Sequence, residues 1–265
     1  MCSPREERGR AVAMPRYRVK LEYDGTPFVG WQVQAVGVSV QGRLTEAIAK
    51  LSGETVSLRG AGRTDAGVHA KGQVAHFDLA RTWPPDTVRS AVNFHLKPDP
   101  IAVLDCAVVT DAFDARFSAT ARHYTYRILA RSAPPVLDRD RVWWVPQRFD
   151  RVAMDEAARQ LVGRHDFTTF RAADCQAKSP IKTLDRLAVA AEGERCTFWP
   201  RRARSCTTRC APWWARSSSL ARASGARAIS ARRSQRGIAE RAAKSRPRAG
   251  SISCAWTTPD RPTAC

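Results

Sequence analysis

No run of apolar residues in this 265-residue chain approaches the roughly 20 needed to cross a bilayer as a helix. The opening residues, Met1-Cys2-Ser3-Pro4-Arg5-Glu6-Glu7-Arg8, are charged with no apolar stretch behind them, which excludes a secretory signal and implies the cytoplasm. Met14 stands just before the first patterned segment and is an alternative start, with residues 1–13 as an extra N-terminal segment. Histidines number only five, and none of the eight cysteines is paired at Cys-x-x-Cys spacing, so no zinc-type ligand set is spelled out. Acidic residues are scarce at one end. Residues 196–265 hold 15 Lys and Arg against Glu240 and Asp260, while the first 195 hold 29 basic residues against 23 acidic. The net charge of +19 suggests a polyanionic partner, yet the body of the chain is only mildly basic. What is present is a globular composition, 43% hydrophobic, long enough for one large domain or two smaller ones.

The most informative stretch is Gly60-Ala61-Gly62-Arg63-Thr64-Asp65-Ala66-Gly67-Val68-His69-Ala70. It has no apolar period, and its glycines permit a tight loop that can approach a ligand closely. Asp65 is the single carboxylate in it, between Arg63 and His69. A metal site built on Asp65 and His69 would need a helix to align them, and Gly67 argues against one. A turn-forming Asp and a catalytic Asp both fit the residues.

Around this loop the patterning is regular. Arg16–Tyr23 alternates polar and apolar residues as a half-buried strand does. Ser39 can cap a helix in which Val40, Leu44, Ile48 and Leu51 share a face, and Gly53 stops it. Thr55 to Leu58 and Gln73 to Leu79 read as strands on either side of the Asp65 loop. Pro84-Pro85-Asp86 opens a helix carrying Val88, Ala91, Val92 and Leu96, followed by a buried strand from Ile101 to Val109. Strand, helix, strand, strand, helix, strand is the split βαβ order of a ferredoxin-like domain. A second unit starts with a strand at Arg122–Ala130, on which Tyr124, Tyr126 and Ile128 face opposite to His123, Thr125 and Arg127. Asp150 can cap a helix carrying Val152, Ala157, Leu161 and Val162, and Ile181–Ala191 reads as the next strand.

Several segments, in order, resemble the tRNA pseudouridine synthase A family. The run Arg63-Thr64-Asp65-Ala66-Gly67-Val68-His69 looks like that family's active-site motif. Before it come Tyr23-Asp24-Gly25-Thr26-Pro27-Phe28-Val29-Gly30-Trp31-Gln32 and Ser39-Val40-Gln41-Gly42. After it come Asp114-Ala115-Arg116-Phe117-Ser118-Ala119, Arg122-His123-Tyr124-Thr125-Tyr126-Arg127-Ile128 and His165-Asp166-Phe167-Thr168-Thr169-Phe170, with Cys175-Gln176-Ala177-Lys178-Ser179-Pro180 last. The resemblance runs from about Met14 to about Arg195.

From Arg201 to Gly250 the sequence is rich in Arg, Ala and Ser and has no sustained helical or strand period. Thr207-Thr208-Arg209-Cys210-Ala211-Pro212-Trp213-Trp214 back-translates, one base earlier, to His-His-Gln-Val-Arg-Ser-Met-Val, which is similar to a segment of the family's second domain. In the same frame residues 250–258 permit Gly-Leu-Tyr-Leu-Val-Arg-Val-Asp-Tyr, an alternating strand. The expectation is an out-of-frame tail, 196–265, disordered or ill-packed.

The sequence therefore predicts an α+β protein of two ferredoxin-like domains with antiparallel sheets, 14–112 and 113–195, the second incomplete. The resemblance implies an isomerase that converts uridine to pseudouridine in the anticodon arm of tRNA. It implies Asp65 as the catalytic residue, Tyr124 against the uracil and Arg63 holding the flipped base. It implies a homodimer and no cofactor, and no metal is expected. His69 is expected to order the loop by hydrogen bonding. The contrasting reading is a basic RNA-binding protein without catalysis, although the RNA-recognition signature of a Gly-Phe/Tyr core is absent.

Overall fold

The computed structural model describes residues 14–146, 150–166, 179, 181–203 and 252–257. The architecture is mixed α+β, with largely antiparallel sheets. In the first half, β1 (Arg16–Tyr23) buries Tyr17, Val19, Leu21 and Tyr23 and leaves the alternate positions more open, as its period requires. Helix α1 (Val40–Ser52) is capped by Ser39, whose hydroxyl accepts from the Gly42 amide, and ends at left-handed Gly53. Its Val40, Leu44 and Ile48 are fully buried, and it packs beside α2 (Pro85–Leu96), which buries Val88, Val92 and Leu96. Strands β2 (Arg59–Gly60), β3 (His69–Asp78) and β4 (Ile101–Val109) complete this half.

The strand expected at Thr55–Leu58 is displaced. Val56 and Leu58 are buried, but ladder partners begin only at Arg59, opposite His76 of β3. Strand β3 itself begins at His69, earlier than expected, because its first residues find a partner strand that comes from far along the chain.

The second half contains β5 (Ala121–Ala130), β6 (Trp143–Val145), α3 (Arg151–Gln160), β7 (Gly163–Asp166), β8 (Ile181–Leu184), β9 (Arg186–Glu192), β10 (Arg195–Ala203) and β11 (Ile252–Thr257). Asp150 caps α3, its carboxylate accepting from the Ala153 amide. The buried face of α3 is not the expected one. Val152 is 78% exposed, whereas Met154 and Ala158 are buried, Ala158 against Leu184 and Leu187. Apolar residues at 152 and 157 suggested one stripe, but Met154 and Ala158, one turn apart, meet the sheet. The single strand expected at 181–191 breaks at Asp185 into β8, which pairs with β7, and β9, which pairs with β10. Of the motif residues, Phe167–Phe170, Cys175–Lys178 and Pro180 lie outside the described residues, as do 204–251 and 258–265 of the tail.

One nine-stranded sheet runs β4-β1-β3-β11-β5-β10-β9, with β2 on β3 and β6 on β5. Two differences from expectation follow. The boundary at 195–196 falls at the start of β10, which pairs with both β5 and β9 through residues 195–203. Thr197, Phe198 and Trp199 suit a strand, and two flanking strands offer them partners. The open edge expected on an incomplete second sheet is also filled: β11 pairs antiparallel with β5 and parallel with β3. Ladder bonds are made by backbone alone, so an edge accepts any segment that can extend beside it. The two halves thereby share one sheet.

Candidate active site

The Asp65 loop spans 61–68, between β2 and β3, and its backbone is held on every side. The Ala61 amide donates to the Val74 carbonyl at 2.7 Å, and the Gln73 side-chain amide, fully buried, donates to the Gly62 carbonyl at 2.7 Å. The Trp31 amide donates to the Thr64 carbonyl at 3.0 Å, and Gly30 forms an antiparallel bridge with Asp65 itself. Tyr23 and Thr64 share a buried hydroxyl–hydroxyl bond of 2.9 Å. The Gly67 amide reaches the Phe28 carbonyl at 3.3 Å, and the Val68 amide closes a turn onto the Asp65 carbonyl at 3.2 Å.

Close approach of the 24–31 segment makes this possible. A Cβ on Gly25 would stand 2.1 Å from the Val68 carbonyl oxygen. At Gly30 φ is +121° and an added Cβ would stand 2.6 Å from the Thr64 carbonyl oxygen. Only glycine fits either position. The loop is thus a rigid mount on which Thr64 is buried, Asp65 is half-buried and Arg63 is exposed. A carboxylate on a fixed backbone, open on one side, can meet a substrate without reorganising.

His69 is buried at the exit of the loop. Its Nδ1 lies 3.1 Å from the Gly25 amide and 3.1 Å from Asp24 Oδ1, and its Nε2 lies 2.8 Å from the Asp140 carbonyl oxygen. An amide donor and a carboxylate acceptor make opposite demands on Nδ1. The amide hydrogen is fixed by the backbone and donates to Nδ1, while Nε2 faces the Asp140 carbonyl. His69 thereby ties together the 24–31 segment, the Asp65 loop and the 138–141 turn of the second half. Burial pushes the Asp24 carboxyl up, but bonds from the Thr26 hydroxyl and amide, with the charge of Arg141, outweigh it and hold the group below the usual carboxylate range.

Tyr124 comes from the other half. It is half-buried on β5 and packs against the main core. Its register partner on β11 is Cys254, whose partner on the far side is Ala70 of β3. Tyr124 and Ala70 are thus two strand spacings apart, about 10 Å, and Asp65 precedes Ala70 by one short loop. A second link is direct: Arg122 Nη2 donates to the Ala61 carbonyl at 3.2 Å. The sequence motifs named Asp65, Arg63 and Tyr124 but assigned no role to Gln73, Arg122 or Asp24. Gln73 carried a signal, since a polar residue at an inward position of an apolar strand requires a partner.

Among the described residues, no group of three His, Cys, Asp or Glu side chains could hold a metal ion. A cavity of about 440 Å³ lined by Ala130, Met154 and Cys196 lies at the far end of β5, away from Asp65.

Several known proteins are similar to this chain. The family model described as tRNA pseudouridine synthase matches residues 21–118 and 157–210. The tRNA pseudouridine synthase A of Xanthobacter autotrophicus is 60% identical over 181 residues, 68% of this chain and 74% of that protein. That of Paramagnetospirillum magneticum is 60% identical over 181 residues, covering 68% and 71%. That of Sinorhizobium fredii is 58% identical over 183 residues, covering 68% and 74%. The chain belongs to the tRNA pseudouridine synthase A family.

Proposed function

We propose that the protein, with its reading frame restored, isomerises uridine to pseudouridine in tRNA, at the 3′ side of the anticodon arm, with Asp65 as its catalytic carboxylate, and that the chain as written does not. The observation that carries this is the rigid loop that presents Asp65, from a chain about 60% identical to synthases of that name. The reaction breaks the N-glycosidic bond, turns the uracil and rejoins it through C5. Atoms and electrons balance within one nucleotide, so no cofactor is called for. One carboxylate serves either as nucleophile on the sugar or as base toward a ribose proton. The target must leave its stack to reach Asp65. Tyr124 packs against the uracil there, and exposed Arg63 holds the flipped state. The enzyme acts in the cytoplasm as a homodimer whose subunits together cradle one tRNA.

Each half is a ferredoxin-like domain in this reading. The orders β4-β1-β3-β2 and β11-β5-β10-β9 support it, since they place the first, second, third and fourth strands of each half alike. The segment from about residue 196 is read in a shifted frame. The relatives support this: 68% of this chain matches while about a quarter of the Xanthobacter protein, covered to 74%, stays unmatched. Sequencing the gene across the codons for Arg195 and Cys196 decides this point, and a frame with no insertion or deletion there would end the idea.

The functional test is Asp65→Asn in the frame-restored chain. Turnover should fall on the order of 10³-fold or more, with tRNA affinity little changed, because phosphate contacts dominate affinity. An Asn variant that keeps a tenth of wild-type turnover would remove Asp65 from the reaction.

A further inference from the structure

The connection from β4 to β5, residues 111–119, is braced far beyond what joining two strands requires. The Arg16 guanidinium, itself paired with Asp78, donates to the carbonyls of Asp111 and Phe113. The Ala115 amide donates to Nδ1 of buried His76 at 3.0 Å, and Ala115 is fully buried. Asp114 Oδ1 accepts from the amides of both Arg116 and Phe117, at 2.8 and 3.0 Å. The Ser118 amide returns to the Asp114 carbonyl at 2.7 Å.

What this scaffold holds up is a pair of exposed side chains. Phe117 is 67% exposed, and the Arg116 guanidinium carbon lies 5.8 Å from its ring centroid. A single exposed apolar residue needs no explanation by itself. Here its backbone is fixed, a cation sits beside it, and both anchors of the loop lead to the Asp65 loop. Arg59, largely exposed, lies 3.8 Å from Asp114 and comes two residues before Ala61. Arg122, at the start of β5, donates to the Ala61 carbonyl.

We infer that Arg116 and Phe117 form a stacking platform for an unpaired nucleobase of the RNA substrate, separate from the place where Asp65 meets its target. The inference rests on the RNA reading above. Aromatic rings and guanidinium planes are the surfaces on which splayed bases stack, and they do so without regard to base identity. A braced loop keeps the ring in place before binding, so little freedom is lost when the base arrives. Arg116 and Arg59 add the positive potential that draws the backbone of the same strand.

The test uses the full 265-residue chain, tRNA, and a stem–loop RNA with 2-aminopurine in its single-stranded loop. Phe117→Ala and Phe117→Leu should each weaken tRNA binding by about ten-fold, and Phe117→Trp should retain it. The loss should be similar at low and high salt, because stacking releases no counterions, whereas Arg116→Gln should lower the salt slope. Quenching of 2-aminopurine by the wild type should disappear in Phe117→Ala. The Leu variant separates stacking from plain apolar contact. Phe117→Ala that binds tRNA like the wild type at every salt concentration overturns the platform. So does a variant whose only change is a shift in sedimentation, which would make Phe117 a protein–protein contact. A wild-type chain that binds no tRNA at any salt overturns the RNA reading itself.

Discussion

Gly25→Ala tests how tightly the Asp65 loop is held. The added Cβ would stand 2.1 Å from the Val68 carbonyl oxygen and 2.4 Å from its carbon, where ordinary contact begins at 3.4 Å. Both colliding groups are backbone, so no rotamer change relieves the clash. The 24–31 segment and the Asp65 loop must part by more than an ångström. Bonds across that seam measure 3.1 Å (Gly25 amide to His69), 3.3 Å (Gly67 to Phe28) and 3.0 Å (Trp31 to Thr64). Such a movement takes them past hydrogen-bonding distance. Overpacking of this kind costs about 1–3 kcal/mol, and an ångström of misplacement costs about 10²-fold in rate. Single-turnover release of tritium from the C5 position of uridine, in the frame-restored chain, should therefore fall about a hundredfold. Affinity for tRNA should stay within about threefold, since phosphate contacts dominate affinity. Gly53→Ala is the control. Nothing lies within 4 Å of its Cβ, so only its φ of +75° is strained, which costs about 1–2 kcal/mol and should leave turnover intact. Gly25→Ala with turnover within threefold of wild type would show that this seam does not position Asp65.

Three further outcomes are expected. Met154→Ala should destabilise the chain by about 2–5 kcal/mol, while Val152→Ala, on the exposed face of α3, should stay within about 0.5 kcal/mol; chemical denaturation measures both, and equal effects would reverse the assigned face. His76 is driven below the ordinary histidine range first by burial, against the opposing pull of Asp114, and His123 is lowered by burial and by Arg201. For a depressed histidine the unfolded state binds the proton more readily. Stability is therefore full above the unfolded pKa, about 6.5, and is lost as pH falls below it. A thermal-melt series should show this slope between about pH 6.5 and the carboxylate range, reduced in His76→Gln; an unchanged slope refutes it. The Cys106 thiol is pushed up to about 12, chiefly by burial with Asp105 adding to it, so peptide mapping after alkylation at pH 8 should find Cys106 unmodified in the native chain and modified in urea.

The sequence by itself determined those features whose physics is local. Alternation defined β1, and Ser39 and Gly53 marked both ends of α1, because a cap and a left-handed stop act on the nearest turn. Glycines flanking Asp65 announced a loop. What the sequence left open is what depends on distant partners. The buried face of α3 was decided by Leu184 and Leu187, about 30 residues away. The ends of β2 and β3 were decided by where ladder partners occur, and β11 found partners on both sides in β3 and β5. Backbone hydrogen bonds carry no sequence code, so an edge strand can recruit a segment that its own residues do not announce. The mount of Asp65 is of the same kind. Gln73, Tyr23, Gly25 and Arg122 are scattered along the chain, and only the folded sheet brings their bonds to one short loop.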